Sequence, residues 1–213
     1  MRILSNPEIL IAIVPSLLIA LTFHEYAHAR VAYAFGDTTA KDMGRMTLNP
    51  VSHLDPIGTL MILIVGFGWA RPVPINPGRF RDIRRGLLWV SLAGPLANLL
   101  LGFAATLIFS FLIGHGVTNS LLLLFMQTFI QLNIILAIFN LLPLPPLDGS
   151  KIVVSIASGS VANFYRRIEP YAGIILIALV LFGGLGKILW PLTEWTMNLF
   201  DRISFQIVRF LLF

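Results

Sequence analysis

Charged residues are few and clustered along the chain, and the stretches between the clusters outline its elements. Uncharged, mostly apolar runs cover 9–23, 56–70, 86–114, 116–147 and 170–186, and the last resumes after Lys187 as far as residue 192. A helix that crosses a bilayer needs about 20 predominantly apolar residues. The runs 86–114 and 116–147 meet that length outright. The first meets it if its helix continues past His24 and Glu25 through Ala27, Ala29, Val31 and Tyr33, and the last if Lys187 snorkels. The run 56–70 is short, carries Gly58, Gly66 and Gly68 and ends at Arg71-Pro72, so a re-entrant or strand-like segment is expected there. Such backbone at membrane depth needs shelter from protein or a watery cavity, which points to a site nearby.

The pattern therefore predicts an all-α polytopic membrane protein. It has about four transmembrane helices, at 9–33, 86–113, 119–142 and 170–192, and a re-entrant or extended element at about 40–80. Within that element Pro72, Pro74 and Pro77 forbid helix. Residues 69–80 suit an extended edge able to receive a substrate strand by β-augmentation; a basic, membrane-anchored loop is the alternative, favoured by the arginines at 79–85. In the tail 193–213, Glu194, Asp201, Arg202 and Arg209 alternate with Trp195, Phe200, Phe205 and Phe210, which predicts an amphipathic segment on the outer interface, helix or strand.

Composition removes whole classes of protein. The chain is 57% hydrophobic and 12% charged, with a mean hydropathy of +0.86, against about 25% charged residues in soluble domains. One soluble core could not hide so much apolar surface. The low charge excludes disorder, and the absence of cysteine excludes a disulfide scaffold. The length suits a single membrane-embedded domain. No cleavable signal peptide is expected, because the first apolar run leads into His24-Glu25 and not into a small-residue cleavage site. The net charge of +5 bears on orientation; nucleic acid is not an expected partner. Lys and Arg fall in 30–56, 71–85 and 148–169 and are absent from the link 115–119. The positive-inside rule then puts the first three segments on the cytoplasmic side of the cell membrane and both termini outside.

The first predicted span carries His24-Glu25-Tyr26-Ala27-His28. Positions i and i+4 share a helix face, so both imidazoles can reach one metal ion, and Glu25 stands beside the first ligand as a base for a metal-bound water. This is the HExxH arrangement of zinc proteases. Polar groups within a span are functional by default. A catalytic zinc usually takes a third protein ligand, and the candidates are Asp148, Glu169, His53, Asp55 and His115. Asp148 is the best placed. It ends the long uncharged run inside Asn140-Leu-Leu-Pro143-Leu-Pro145-Pro146-Leu-Asp148-Gly149, where the prolines unwind the helix and Gly149 permits a sharp turn. An N-cap is its alternative role.

HExxH in a first hydrophobic span, followed by Asn140-x-x-Pro143-x-Pro145-x-Leu147-Asp148-Gly149, resembles the site-2 protease family of intramembrane zinc metalloproteases. Gly94-Pro95-Leu96-Ala97-Asn98 is similar to the family's Gly-x-x-x-Asn signature on the intervening span. The resemblance covers most of 9–152. It implies one zinc ion held by His24, His28 and Asp148, with Glu25 as catalytic base. It also implies substrate contact by Asn140, and a membrane-protein substrate cut in regulated intramembrane proteolysis. The chain shows no inserted PDZ domain and no fused regulatory domain, so a compact catalytic core with one extra span is expected.

Several residues keep two readings. His53 is either a second-shell partner or alternative ligand of the metal, or part of a turn built by Asn49-Pro50 and Asp55-Pro56 in which Asp55 holds it. Gly94 and Asn98 serve close helix packing, or Asn98 bonds to unwound backbone or substrate near the site. Gln127, Gln131 and Asn133 read as interhelical hydrogen-bonding groups. Two other functions are compatible with His and Asp at membrane depth: a divalent-metal transporter, and a catalytically silent relative that binds membrane helices. A transporter wants a relay of ligands on several spans, whereas 86–114 offers only Asn98; a silent relative would lack Glu25 or a ligand, and all are present.

Overall fold

The computed structural model describes residues 7–58, 69–157 and 159–212. Among the described residues three helices are long and apolar enough to cross a membrane: α1 (Pro7–Ala34), α3 (Ile83–Gly114) and α4 (Ser120–Leu141). They pack on one another around two layers. One is apolar, with Ala105, Met126, Ile130 and Ile134 buried between α3 and α4. The other is a polar junction in which the Asn98 amide on α3 donates to the Ala20 carbonyl of α1 at 3.0 Å and to Asn133 Oδ1 of α4 at 2.9 Å. Side-chain amides are strong glue where water is absent, provided every group is paired.

The termini follow from local chemistry. Asp82 caps α3 by accepting from Arg85 N at 3.0 Å, and Asn119 caps α4 by accepting from Leu122 N at 2.9 Å. α1 ends at Gly36, whose φ of +105° a side chain would strain. α4 ends just before Pro143, Pro145 and Pro146, which cannot continue it.

Between α1 and α3 the chain forms a short α2 (Thr39–Asp42) and two 3-10 turns, Pro50–His53 and Pro77–Arg79, each capped by the asparagine before it. Asp37 organises this layer. Its carboxylate accepts from Thr39 N at 3.0 Å, from the Thr39 hydroxyl, and from Asn76 N at 2.7 Å. Burial pushes its pKa up, but these hydrogen bonds and the charge of Arg79 more than offset that and hold it below the ordinary value. Residues 71–76 run as an extended strap across α1, with Val73 packed on Ala29 and Ala40. Among the described residues no strand forms, and a single antiparallel bridge joins Leu54 to Ala70. The re-entrant reading of 56–70 falls largely on 59–68, outside the described residues.

After α4 come α5 (Asp148–Ile156), α6 (Gly159–Ile168), a 3-10 turn (Glu169–Tyr171), α7 (Ala172–Leu181) and α8 (Gly184–Leu212). The expected span at 170–192 contains a break. Gly183 adopts φ +68° beside a second glycine, and the helices on either side meet at 75°. With the bent pair counted as one span, the total rises to four. The tail from residue 193 lies within α8. It is helical and docked along α3, with Phe200 edge-on to Phe103 at 5.1 Å and the Ser204 and Ser110 hydroxyls 2.9 Å apart.

Candidate metal centre

His24 and His28 lie one turn apart on α1, on the face that meets α3, and both are buried. Asp148 opens α5 and reaches the same point from the other side. Its Oδ2 lies 3.3 Å from His24 Nε2 and 3.1 Å from His28 Nε2, and the two Nε2 atoms are 3.0 Å apart. Among the described residues these form the one His/Cys/Asp/Glu group able to hold a metal ion.

The hydrogen bonds behind the imidazoles fix their tautomers. His28 Nδ1 faces the Val90 carbonyl at 2.6 Å, which can only accept, so Nδ1 carries the proton. His24 Nδ1 faces Asn98 Oδ1 at 2.6 Å. Asn98 cannot be flipped, because its amide nitrogen donates to two acceptors, and so His24 Nδ1 is also the donor. Both Nε2 atoms therefore present lone pairs to each other and to a carboxylate oxygen. Buried acceptors converging with no donor between them need a cation. Tetrahedral zinc with bonds of about 2.0–2.1 Å sets ligands about 3.3 Å apart, close to the spacing found. The donor set, two imidazoles and one carboxylate, fits zinc with one position left for water.

Asp148 is not a cap: Leu147 occupies the N-cap position, and no side-chain cap bond forms there. Its helix is held at both ends. At the start, a Cβ on Gly149 would stand 2.3 Å from the carbonyl oxygens of Leu141 and Leu142. Gly149 is thus needed for close approach of two backbones, not for the sharp turn expected of it, since its φ is not positive. At the far end the Arg84 guanidinium caps α5 by donating to the carbonyls of Ser155 and Ile156. Lys151 Nζ lies 3.3 Å from Asp148 Oδ1, the oxygen turned away from the histidines.

Glu25 is buried beside His24, and its Oε2 accepts from the backbone N–H of Val73 at 2.8 Å. A cavity of about 140 Å3 adjoins this group. It is lined by His24, His28, Asp148 and Glu25, by Pro72, Val73 and Ile75 of the strap, and by Asn140, Pro146 and Lys151. Asn140 thus lines the cleft. Its Nδ2 donates to the Leu136 carbonyl at 3.0 Å and its Oδ1 accepts nothing among the described residues. A larger cavity of about 670 Å3 lies between α3 and α8, lined by Phe109, Ile113, Phe205 and Val208, and shares no residue with this site.

Other candidates fall elsewhere. Asn98 is fully buried behind His24, with its whole amide committed to His24, Ala20 and Asn133. His53 is buried in the turn after Asn49. Its Nε2 donates to the Thr47 carbonyl at 2.9 Å, and it stands outside the metal cluster. Asp55 does not hold it, but caps the next turn by accepting from Gly58 N at 2.8 Å. His115 donates to the Phe111 carbonyl, at the end of α3. Gly94 had an unrecognised role: it packs directly on both imidazoles, where a Cβ would come within 2.4 Å of His28 Nε2. Its spacing of four from Asn98 was the available signal, since one helix face carries both.

Comparisons with known proteins agree with this chemistry. A sequence model of peptidase family M50 matches residues 114–183. The chain is 43% identical over 185 residues to a Bacillus subtilis protein named "Putative zinc metalloprotease YwhC", covering 84% of each. It is 27% identical over 217 residues to "Putative zinc metalloprotease Rip2" of Mycolicibacterium smegmatis, covering 97% of this chain and 80% of the relative. The Rip2 protein of Mycobacterium tuberculosis H37Rv, similarly named, is 28% identical over 92% of this chain and 76% of the relative. No solved structure matches the chain significantly.

Proposed function

The chain belongs to peptidase family M50, the site-2 protease family, and is a multi-pass membrane protein. From that premise we propose that it is an intramembrane zinc endopeptidase cutting membrane-spanning or membrane-proximal segments of other membrane proteins in regulated intramembrane proteolysis. The observation that carries the reading is the lone-pair cluster of His24, His28 and Asp148, with the Glu25 carboxylate beside it in one small cavity.

Zinc, when bound, supplies a Lewis acid that polarises the scissile carbonyl and lowers the pKa of water toward about 7. His24, His28 and Asp148 are the residues that would hold it. Glu25 takes the proton of the attacking water. As the C–N bond breaks, Glu25 passes that proton to the leaving nitrogen. Its Oε2 is fixed by Val73 N–H, while Oε1 has no hydrogen bond among the described residues and is the oxygen available for this transfer. Asn140 Oδ1 and the Ile75 N–H, both without partners among the described residues, are groups on which an extended substrate backbone can dock. Helical substrate must unwind to reach a cavity of this size. The basic segments around the site orient it toward the cytoplasm, and both termini face outward.

The test is cleavage of a tagged single-span protein in proteoliposomes by wild-type chain and by Glu25→Gln. Wild type releases the fragment. The variant retains zinc and releases none. Cleavage by Glu25→Gln at the wild-type rate contradicts the mechanism.

A further inference from the structure

The strap is held to Glu25 by a device with no part in metal binding. Arg45 is a buried arginine, 8% exposed. Its Nη2 donates to two successive strap carbonyls, Arg71 O at 2.8 Å and Pro72 O at 3.2 Å. The next residue, Val73, gives its N–H to Glu25 Oε2 at 2.8 Å. The strap's other anchors lie outside this pair: Arg71 N donates to the His53 carbonyl at 2.9 Å, and Asn76 N to Asp37 at 2.7 Å. Pro72 and Pro74 have no N–H, so between residues 71 and 75 Val73 offers the only backbone donor.

Arg45 is an expensive way to hold a loop. Burial, and the positive charge of Arg71, lower its pKa, while the negative charge of Glu25 raises it. Its Nε is buried without a partner among the described residues. No carboxylate forms an ion pair with it among the described residues. Taking the guanidinium out of water costs free energy, and the hydrogen bonds to the two carbonyls offset part of that cost. What its guanidinium holds in place is the strap, at the two carbonyls that precede Val73.

We propose that Arg45 is a positioning residue for Glu25. By clamping the Arg71 and Pro72 carbonyls it aims the Val73 N–H at Oε2 and so fixes the carboxylate beside the metal position. The inference rests on the protease reading for the consequence, a fall in turnover, but the clamp itself is testable without activity. The strap wall of the cleft and the base are thereby one mechanical unit, and a substrate that docks on the strap acts on the orientation of the base.

The experiment uses full-length chain in proteoliposomes: wild type, Arg45→Met, Arg45→Lys, Val73→Pro, and Arg45→Met combined with Val73→Pro. Zinc content, hydrogen exchange of the strap amides and reporter kinetics are read on each. Arg45→Met is expected to keep its zinc and lose protection at the Val73 amide. Its kcat is expected to fall about a hundredfold, as for a misplaced catalytic group, with KM changing less than kcat. Arg45→Lys, which keeps the charge but reaches one carbonyl, falls between; should Arg45→Met fail to keep zinc, Arg45→Lys decides. The double variant is expected to be no slower than either single one, because both break the same link. Unchanged strap protection in the Arg45 variants, wild-type kcat, or effects that multiply in the double variant would overturn the proposal. A wild-type chain that loads zinc and protects its strap yet cuts nothing would instead overturn the protease reading, while the exchange result still decides the clamp.

Discussion

Replacing Gly94 by alanine adds one methyl group at the most crowded point of the metal centre. The new Cβ would lie 2.4 Å from His28 Nε2 and 2.6 Å from both Cε1 and Nε2 of His24. Ordinary contacts at carbon begin near 3.5 Å, so the overlap is about 1 Å on two ligand atoms at once. Neither ring can retreat. His24 Nδ1 is tied to Asn98 and His28 Nδ1 to the Val90 carbonyl, each at 2.6 Å. The methyl therefore displaces the ligands or fills the place of the ion. Overpacking of this kind costs about 1–3 kcal/mol of stability. Loss of ligand orientation alone lowers metal affinity about 10–100-fold, and with direct obstruction added, the upper end of that range is expected. The assay is zinc content after dialysis against a buffered zinc series, with circular dichroism as the check on folding. Gly102→Ala on the same helix is the control. Its Cβ would meet the movable Ile134 Cγ1 at 3.3 Å, and it should keep its zinc. A folded Gly94→Ala chain that binds zinc as tightly as wild type would refute the argument.

Asn98→Ala removes the acceptor that fixes the His24 tautomer and leaves the Ala20 carbonyl and Asn133 without their donor; zinc affinity should fall about 10–100-fold and stability by about 1–3 kcal/mol, read by metal titration and thermal melting in detergent. Arg84→Met uncaps α5 and should lower the melting midpoint by the equivalent of about 1–3 kcal/mol while increasing hydrogen exchange at 148–157. Asp37 has a folded pKa below its unfolded value of about 3.9. Its contribution is therefore present above that unfolded value and is lost as pH falls through the folded one. Thermal melts across acid pH should show this limb in wild type and a shallower one in Asp37→Asn, and identical limbs would contradict the assignment.

The sequence carried the parts of this site whose spacing is local. His24 and His28 are one helical turn apart, and α1 places both on one face as the period requires. The proline-rich stop before Asp148 ends α4 and begins α5, as the unwinding argument predicts. What could not be read depends on long-range approach. The spacing of Gly94 and Asn98 puts both on one helix face, but it does not say that this face meets two imidazoles, or that Asn98 turns its amide toward α1 and α4 and away from the cleft. Arg45 looked like one more basic residue on a cytoplasmic loop, because its burial arises only when the strap folds over it. The break within the fourth span was hidden for a different reason. Hydropathy averages over Gly183-Gly184, and a single left-handed glycine redirects the chain there by 75°. The docking of α8 on α3 through Phe200 is again a long-range approach that no local pattern records.

The central claim is that His24, His28 and Asp148 hold a zinc ion on which peptide cleavage depends. Stripping the purified chain with a chelator and titrating zinc back, with reporter cleavage and bound metal measured on the same samples, tests it most directly. The account predicts that cleavage returns in proportion to bound zinc and saturates at about one ion per chain, and that Asp148→Ala regains neither. Cleavage that persists in the metal-free chain, or an Asp148→Ala variant that rebinds zinc and cuts like wild type, would contradict it.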